Sequence, residues 1–316
     1  MIDSYGRKIN YLRVSLTKRC NLNCTYCGAE CERDSELTPE EVEKLVRAFA
    51  RLGITKVRLT GGEPLLRNDI CDIAQRIGRI EGIKKLAITT NGVLLSRYAG
   101  SLKKAGVNAV NISLDTTDKE QYKKITGFDL LEKVYEGIDE AEKVGLSPIR
   151  LNAVLIRGEN DDQAEKLISI ARDRKIDVRF IELMPFSDEG ENERLVIKGE
   201  EILEAFPFLE PFEGEKKGSF EKSVARYYTA KDFKGRIGFI TPVSDKFCAD
   251  CNRIRLLSDG KVRPCLGNDR LFDLMPYIDD EALLVEKAKE AILSKPTEHS
   301  FSCSYGHSHG LNKIGG

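Results

Sequence analysis

Six times between residues 10 and 185, a short β-branched run gives way to a longer segment whose apolar residues recur at helical spacing. The runs occupy 12–16, 56–60, 85–89, 109–114, 149–156 and 178–183. Most are apolar along nearly their whole length, as strands covered on both faces must be. Between them, 39–52 begins after Thr38 with Pro39 at the first helical position and sets Val42, Leu45, Val46, Phe49 and Leu52 on one face. Segments 69–80, 96–105, 130–144 and 162–174 read the same way, and Gly106 and Gly145 stand where C-terminal caps belong. Serial β/α units require a parallel sheet with helical crossovers. Six of them make three-quarters of a barrel, so the α/β fold expected is an incomplete (β/α)6 barrel, with the last hundred-odd residues helping to close it.

After Pro185 the pattern changes. Residues 187–194 and 213–222 are charged and loop-like, short strands are expected at 225–229, 236–241 and 253–257, and a helix near 279–293. The chain thus divides into a partial barrel, 1–186, and a C-terminal α+β extension, 187–316. The tail from 294 carries no periodicity and ends in Gly315-Gly316. Residues suited to chemistry fall just after strand ends: Cys20 to Cys27, Gly61-Gly62-Glu63-Pro64, Thr90-Asn91-Gly92 and Met184-Pro185. Parallel barrels build their active sites at that end.

Lys and Arg total 50 against 51 Asp and Glu. Such balance argues against a surface built to hold a nucleic acid polymer or an acidic membrane, and leaves room for a local basic pocket. No stretch approaches the ~20 apolar residues of a membrane span, and residues 1–16 contain no signal-peptide core. A cytoplasmic location is the expectation.

Nine cysteines, at 20, 24, 27, 31, 71, 248, 251, 265 and 303, are odd in number and clumped, unlike a secreted disulfide scaffold. Two trios stand out, Cys20-x3-Cys24-x2-Cys27 and Cys248-x2-Cys251-x13-Cys265. Three thiolates on a four-iron cluster leave one iron open to a non-protein ligand. Two open clusters would serve a cofactor and a substrate. Other readings stand beside this one. Cys31 could complete the first site as a ferredoxin-like electron carrier, although the ferredoxin spacing and its following Pro are absent. The second trio could be a zinc ribbon closed by His299, His307 or His309, all more than thirty residues beyond Cys265. Cys71 and Cys303 read as a small buried hydrophobe and a tail thiol.

The first trio directly after a first strand, with Tyr26 before its third cysteine and Gly-Gly-Glu-Pro ending the second strand, resembles the radical S-adenosylmethionine (SAM) superfamily. Adding the second trio, the run Asn252-Arg253-Ile254-Arg255 and the terminal Gly-Gly, the chain from Arg13 to Gly316 resembles the GTP 3′,8-cyclase family of molybdenum cofactor biosynthesis. A peptide-modifying radical SAM enzyme with an auxiliary cluster is a second candidate, but carries longer, differently spaced cysteine sets.

The cyclase resemblance implies two 4Fe–4S clusters, one on Cys20, Cys24 and Cys27 that binds SAM, the other on Cys248, Cys251 and Cys265 that holds the guanine of GTP. It implies SAM contacts at Tyr26, Gly62, Ser113 and Met184, and GTP contacts at Arg13, Arg58, Thr89, Arg150, Arg253, Ile254 and Arg255. Arg150 stands where the family typically has Lys. Arg253, Arg255 and the terminal Gly315 and Gly316 are implied catalytic residues. Arg13 and Arg58 interrupt apolar strands, where a charge is costly unless it faces a polar lumen. Further implied partners are a flavodoxin- or ferredoxin-type electron donor, a cyclic pyranopterin monophosphate synthase downstream, and a second copy of the chain in a homodimer.

Overall fold

A computed structural model of the chain describes residues 1–27, 36–185, 193–214 and 224–299. Six strands alternate with helices: β1 (Tyr11–Ser15), β2 (Lys56–Thr60), β3 (Lys85–Thr90), β4 (Ala109–Ser113), β5 (Ile149–Val154) and β6 (Ile176–Ile181), with α1 (Pro39–Arg51), α2 (Ile70–Gly78), α3 (Leu95–Lys104), α4 (Lys119–Thr126), α5 (Leu131–Lys143) and α6 (Ala164–Asp173). Successive strands pair in parallel from β1 to β6.

Local chemistry explains the helix ends. At α1, Thr38 accepts a hydrogen bond from Glu41 N at 3.2 Å while Glu41 caps Thr38 N at 2.8 Å. Val42, Leu45, Val46 and Phe49 then bury against the sheet. Gly106 and Gly145, at φ +95° and +73°, follow the ends of α3 and α5 as expected. Helix α4 was absent from the periodicity because Tyr122 and Ile125 are its only buried large apolar residues. Its signals are the caps, Asp118 accepting from Gln121 N and Gly127 in the left-handed region.

The C-terminal residues contribute α7 (Gly199–Ala205), β7 (Glu210–Pro211), β8 (Arg226–Thr229), β9 (Ile237–Ile240), β10 (Arg253–Leu256), β11 (Lys261–Arg263), β12 (Phe272–Asp273) and α8 (Glu281–Leu293). The strand order is β12-β11-β10-β1-β2-β3-β4-β5-β6-β9-β8-β7. Closure of the barrel, as expected from sequence, does not occur: β9 adds in parallel to β6 and β10 in parallel to β1, one at each edge. The outermost strands, β7 and β12, do not pair with each other. Residues 241–252 instead run from one edge of the parallel sheet to the other across its open side. Both chain regions share this one sheet.

Candidate functional site

The first cysteine loop is fastened at its root by backbone. Gly62 N donates to Thr17 O and Glu63 N to Arg19 O, each at 2.7 Å. Buried Arg67 donates to Leu16 O and pairs with Asp69 at 2.6 Å. Farther along, Asn23 N and Thr25 N donate to Thr126 O and Ile125 O, which ties the loop to the end of α4. Cys20, Cys24 and Cys27 face one cavity of about 530 Å³.

The second trio faces the same cavity. Cys248 and Cys251 lie on the segment that crosses the open side, and Cys265 follows β11. No group of three His, Cys, Asp or Glu among the described residues is placed to hold a single metal ion. A cubane needs no such convergence, because each thiolate binds a different iron. Each trio supplies the three thiolates that a cluster with one iron left open requires. His299 reaches the same cavity, with Nε2 held by the Pro242 carbonyl at 2.8 Å. Cys31, Cys303, His307, His309, Gly315 and Gly316 lie outside the described residues.

Between the trios the wall is cationic. Register places Arg13 beside both Arg58 and Arg255, with Tyr11 one step back beside Lys56 and Arg253. Arg150 and Arg179 add charge from β5 and β6, and Asp115 is the single carboxylate among the described lining residues. Burial, with the neighbouring arginines, holds Arg13 well below its usual value. Burial likewise lowers Arg255 and Arg179 to about 10. The Tyr11 hydroxyl accepts from Arg58 Nε; burial pushes its phenol up, but Arg58, Arg13, Arg253 and Lys56 win and bring it to about 7. The buried Nε atoms of Arg150, Arg253 and Arg255 have no hydrogen-bond acceptor among the described residues. So many crowded, incompletely bonded cations fit a polyanionic occupant.

Every described site residue expected from sequence lies at this cavity except one. Ile254 is fully buried in the core on the opposite face of β10, between Arg253 and Arg255, so only its backbone can reach a ligand. Arg58 lies 4% exposed inside, bonded to Thr89 Oγ1 at 3.3 Å, so it is no surface side chain. Arg150 is partly engaged by Asp177, at 3.6 Å. Sequence reasoning missed Lys56 and Arg179. Arg179 carried the same signal as Arg13, a charge inside an apolar strand.

At the first trio's side, Tyr26 donates to Asp115 at 2.6 Å, and Asp115 also accepts from Val154 N at 2.8 Å. Glu63 is wholly buried and accepts from Leu65 N, Asn91 N and the Thr90 hydroxyl. Burial outweighs these donors and pushes its carboxyl up to about 7. A raised carboxyl stabilises the fold below its unfolded value near 4.5, and that stability is lost as pH rises through about 7. Cluster-free protein is expected to lose about 3 kcal/mol from this group across that window. Urea titrations at pH 5 and pH 8 check it: Glu63→Gln should flatten the difference, and an unchanged difference would refute the assignment.

The pattern of the radical SAM superfamily matches residues 14–171 and that of Molybdenum Cofactor Synthesis C matches residues 176–301. The crystal structure of Streptococcus suis SuiB bound to S-adenosylmethionine shares the fold, at TM-score 0.64 and 17% identity, over 91% of this chain and 68% of that one. Fold, cysteine loop and the superfamily match together define a radical SAM enzyme, whose cofactors are SAM and 4Fe–4S clusters, two in this chain.

Curated relatives narrow the class. A GTP 3′,8-cyclase of Alkaliphilus oremlandii is 46% identical over 325 aligned residues, covering 100% of both chains. One of Clostridium acetobutylicum is 44% identical, covering 95% of this chain and 94% of its own. A third, of Thermodesulfovibrio yellowstonii, is 41% identical over 93% and 92%. The chain belongs to the GTP 3′,8-cyclase family.

Proposed function

We propose that the cavity holds GTP between the two cysteine trios, with Cys20, Cys24 and Cys27 ligating the SAM-binding cluster and Cys248, Cys251 and Cys265 ligating the substrate-binding one. The reaction is conversion of GTP to (8S)-3′,8-cyclo-7,8-dihydroguanosine 5′-triphosphate, with cleavage of SAM to 5′-deoxyadenosine and methionine, the first step of molybdenum cofactor biosynthesis. The observation that carries the site reading is the placement of both trios and the cationic strand row around one cavity. When bound, the reduced cluster and SAM supply a 5′-deoxyadenosyl radical able to take hydrogen from ribose C3′.

The chain's own residues do the rest. Gly62 gives SAM close access to backbone, while Tyr26, Ser113 and Met184 line its end of the cavity. Arg13, Arg58, Arg150, Lys56 and Arg179 meet the triphosphate, with Thr89 orienting Arg58. Arg253 and Arg255 reach the nucleotide beside the second trio, with the Ile254 backbone between them. Gripping both ends of GTP fixes C3′ against guanine C8, and that proximity is the chief contribution expected of the protein. Gly315 and Gly316 take the catalytic role that the family resemblance implies; a chain ending at 314 that still forms product would overturn this role.

The family is tested by anaerobic reconstitution with dithionite, SAM and GTP. Cyclised nucleotide and 5′-deoxyadenosine should form together, and deoxyadenosine without any cyclised nucleotide would sink the site reading. In the same assay, Arg253→Ala with Arg255→Ala should lower product formation on the order of a hundredfold. Turnover near that of the unsubstituted chain would remove both from the site.

The boundary between the SAM-binding part and the extension is placed at 186/187, outside the described residues. A flavodoxin- or ferredoxin-type donor, a cyclic pyranopterin monophosphate synthase taking the product, a homodimer and a cytoplasmic location complete the reading. No helix among the described residues is long and apolar enough to cross a membrane.

A further inference from the structure

Lys295, two residues beyond α8, is 3% exposed. Its ammonium donates to the Pro264 carbonyl at 2.8 Å, and among the described residues no carboxylate stands at ion-pair distance. A buried cation without a countercharge is costly, so its surroundings should supply one. It faces the cavity beside Cys248, Cys251 and Cys265, and Pro264 is the residue before Cys265.

A second buried cation holds Lys295 in place. Arg7 pairs through Nε with fully buried Asp3 at 2.6 Å. Its remaining nitrogens donate to the carbonyls of Pro296 at 2.7 Å, Thr297 at 2.9 Å and Cys248 at 3.1 Å. One short segment, 295–297, is thereby tied through Arg7 to the Cys248 loop and through Lys295 to the Cys265 loop.

We propose that Lys295 is the countercation of the second iron–sulfur cluster, a positioning residue held beside it by the Arg7 clasp. The inference rests on the reading that Cys248, Cys251 and Cys265 ligate that cluster. A nearby positive charge favours the more negative, reduced state of a cluster and so raises its potential. It acts through the cluster and need not touch the nucleotide.

The test uses the full chain, anaerobically reconstituted with iron and sulfide, and reads the midpoint of each cluster by electron paramagnetic resonance during a redox titration. Lys295→Gln and Lys295→Met should make the second midpoint more negative and slow cyclisation roughly tenfold. Lys295→Arg should restore both, with the first cluster's midpoint as internal reference. Arg7→Gln should shift the second midpoint the same way and lower iron retention at that site alone. Should the Met variant fail to fold, the Gln and Arg variants still decide, because both keep a donor for Pro264 and differ in charge. An unshifted midpoint in Lys295→Gln, with both clusters filled, overturns the proposal and leaves Lys295 a prop for the Pro264 carbonyl. If the unsubstituted chain itself retains a single cluster, the ligand reading has failed instead.

Discussion

Replacing Gly62 by Ala should cut reductive SAM cleavage by on the order of a hundredfold or more and release iron from the first cluster. A Cβ at Gly62 would overlap the carbonyl of Arg19 and crowd that of Lys18. Both obstacles are backbone, so no side-chain rotation relieves them. Nor can the turn retreat, because Gly62 N and Glu63 N are bonded at 2.7 Å to Thr17 O and Arg19 O on that same strand of chain. Segment 17–20 must therefore move, and it carries Cys20 with it. Overpacking of this kind costs about 1–3 kcal/mol in stability, but the larger loss should be geometric. Iron analysis and 5′-deoxyadenosine formation after reconstitution measure it. Cleavage at the unsubstituted rate would mean that the loop absorbs a methyl group, and that close contact of the two segments has no part in positioning the cluster.

Cys265→Ala should separate the two halves of the reaction. The first trio is fixed by β1, the Gly-Gly turn and α4, none of which Cys265 touches through the hydrogen bonds described above. Deoxyadenosine formation should persist, while cyclised nucleotide falls by about a hundredfold or more, since ligand loss should exceed the 10–100-fold typical of removing a ligand's supporting partner. Iron content should drop by one cluster. If Cys265→Ala still yields product with a full complement of iron, another residue completes the second site and the assignment of this trio is wrong.

Much of the barrel was legible because its signals are local. The strand at 56–60 is β2 residue for residue, and the helix expected over 39–52 is α1 with Leu52 as its C-cap. Boundaries slipped where apolar character outran pairing: β5 stops at Val154, although Leu155 and Ile156 are buried too. Short elements escaped. Strands β7 and β12 have two residues each, too few for any alternation to register. The cysteine trios were visible as spacing, and the arginines as charges inside apolar strands. The resemblance put Ile254 among the GTP contacts with Arg253 and Arg255, but side chains alternate along a strand and its own goes to the core. Arg7 and Lys295 gave no signal, since the carbonyls that Arg7 binds lie more than 200 residues away and the one that Lys295 binds lies 31 residues away.

Residue order alone determined that this chain must lay down parallel strands beneath helices and carry two cysteine trios, because periodicity and spacing are read within a few turns of chain. The fold decided that both sets face one chamber. That outcome depends on β9 joining β6 while β10 joins β1, partners separated by 59 and 242 residues in the pairs Val178 with Ile237 and Tyr11 with Arg253. Such pairings are chosen by edge hydrogen bonds and buried area available only once the sheet exists, and no local pattern encodes them.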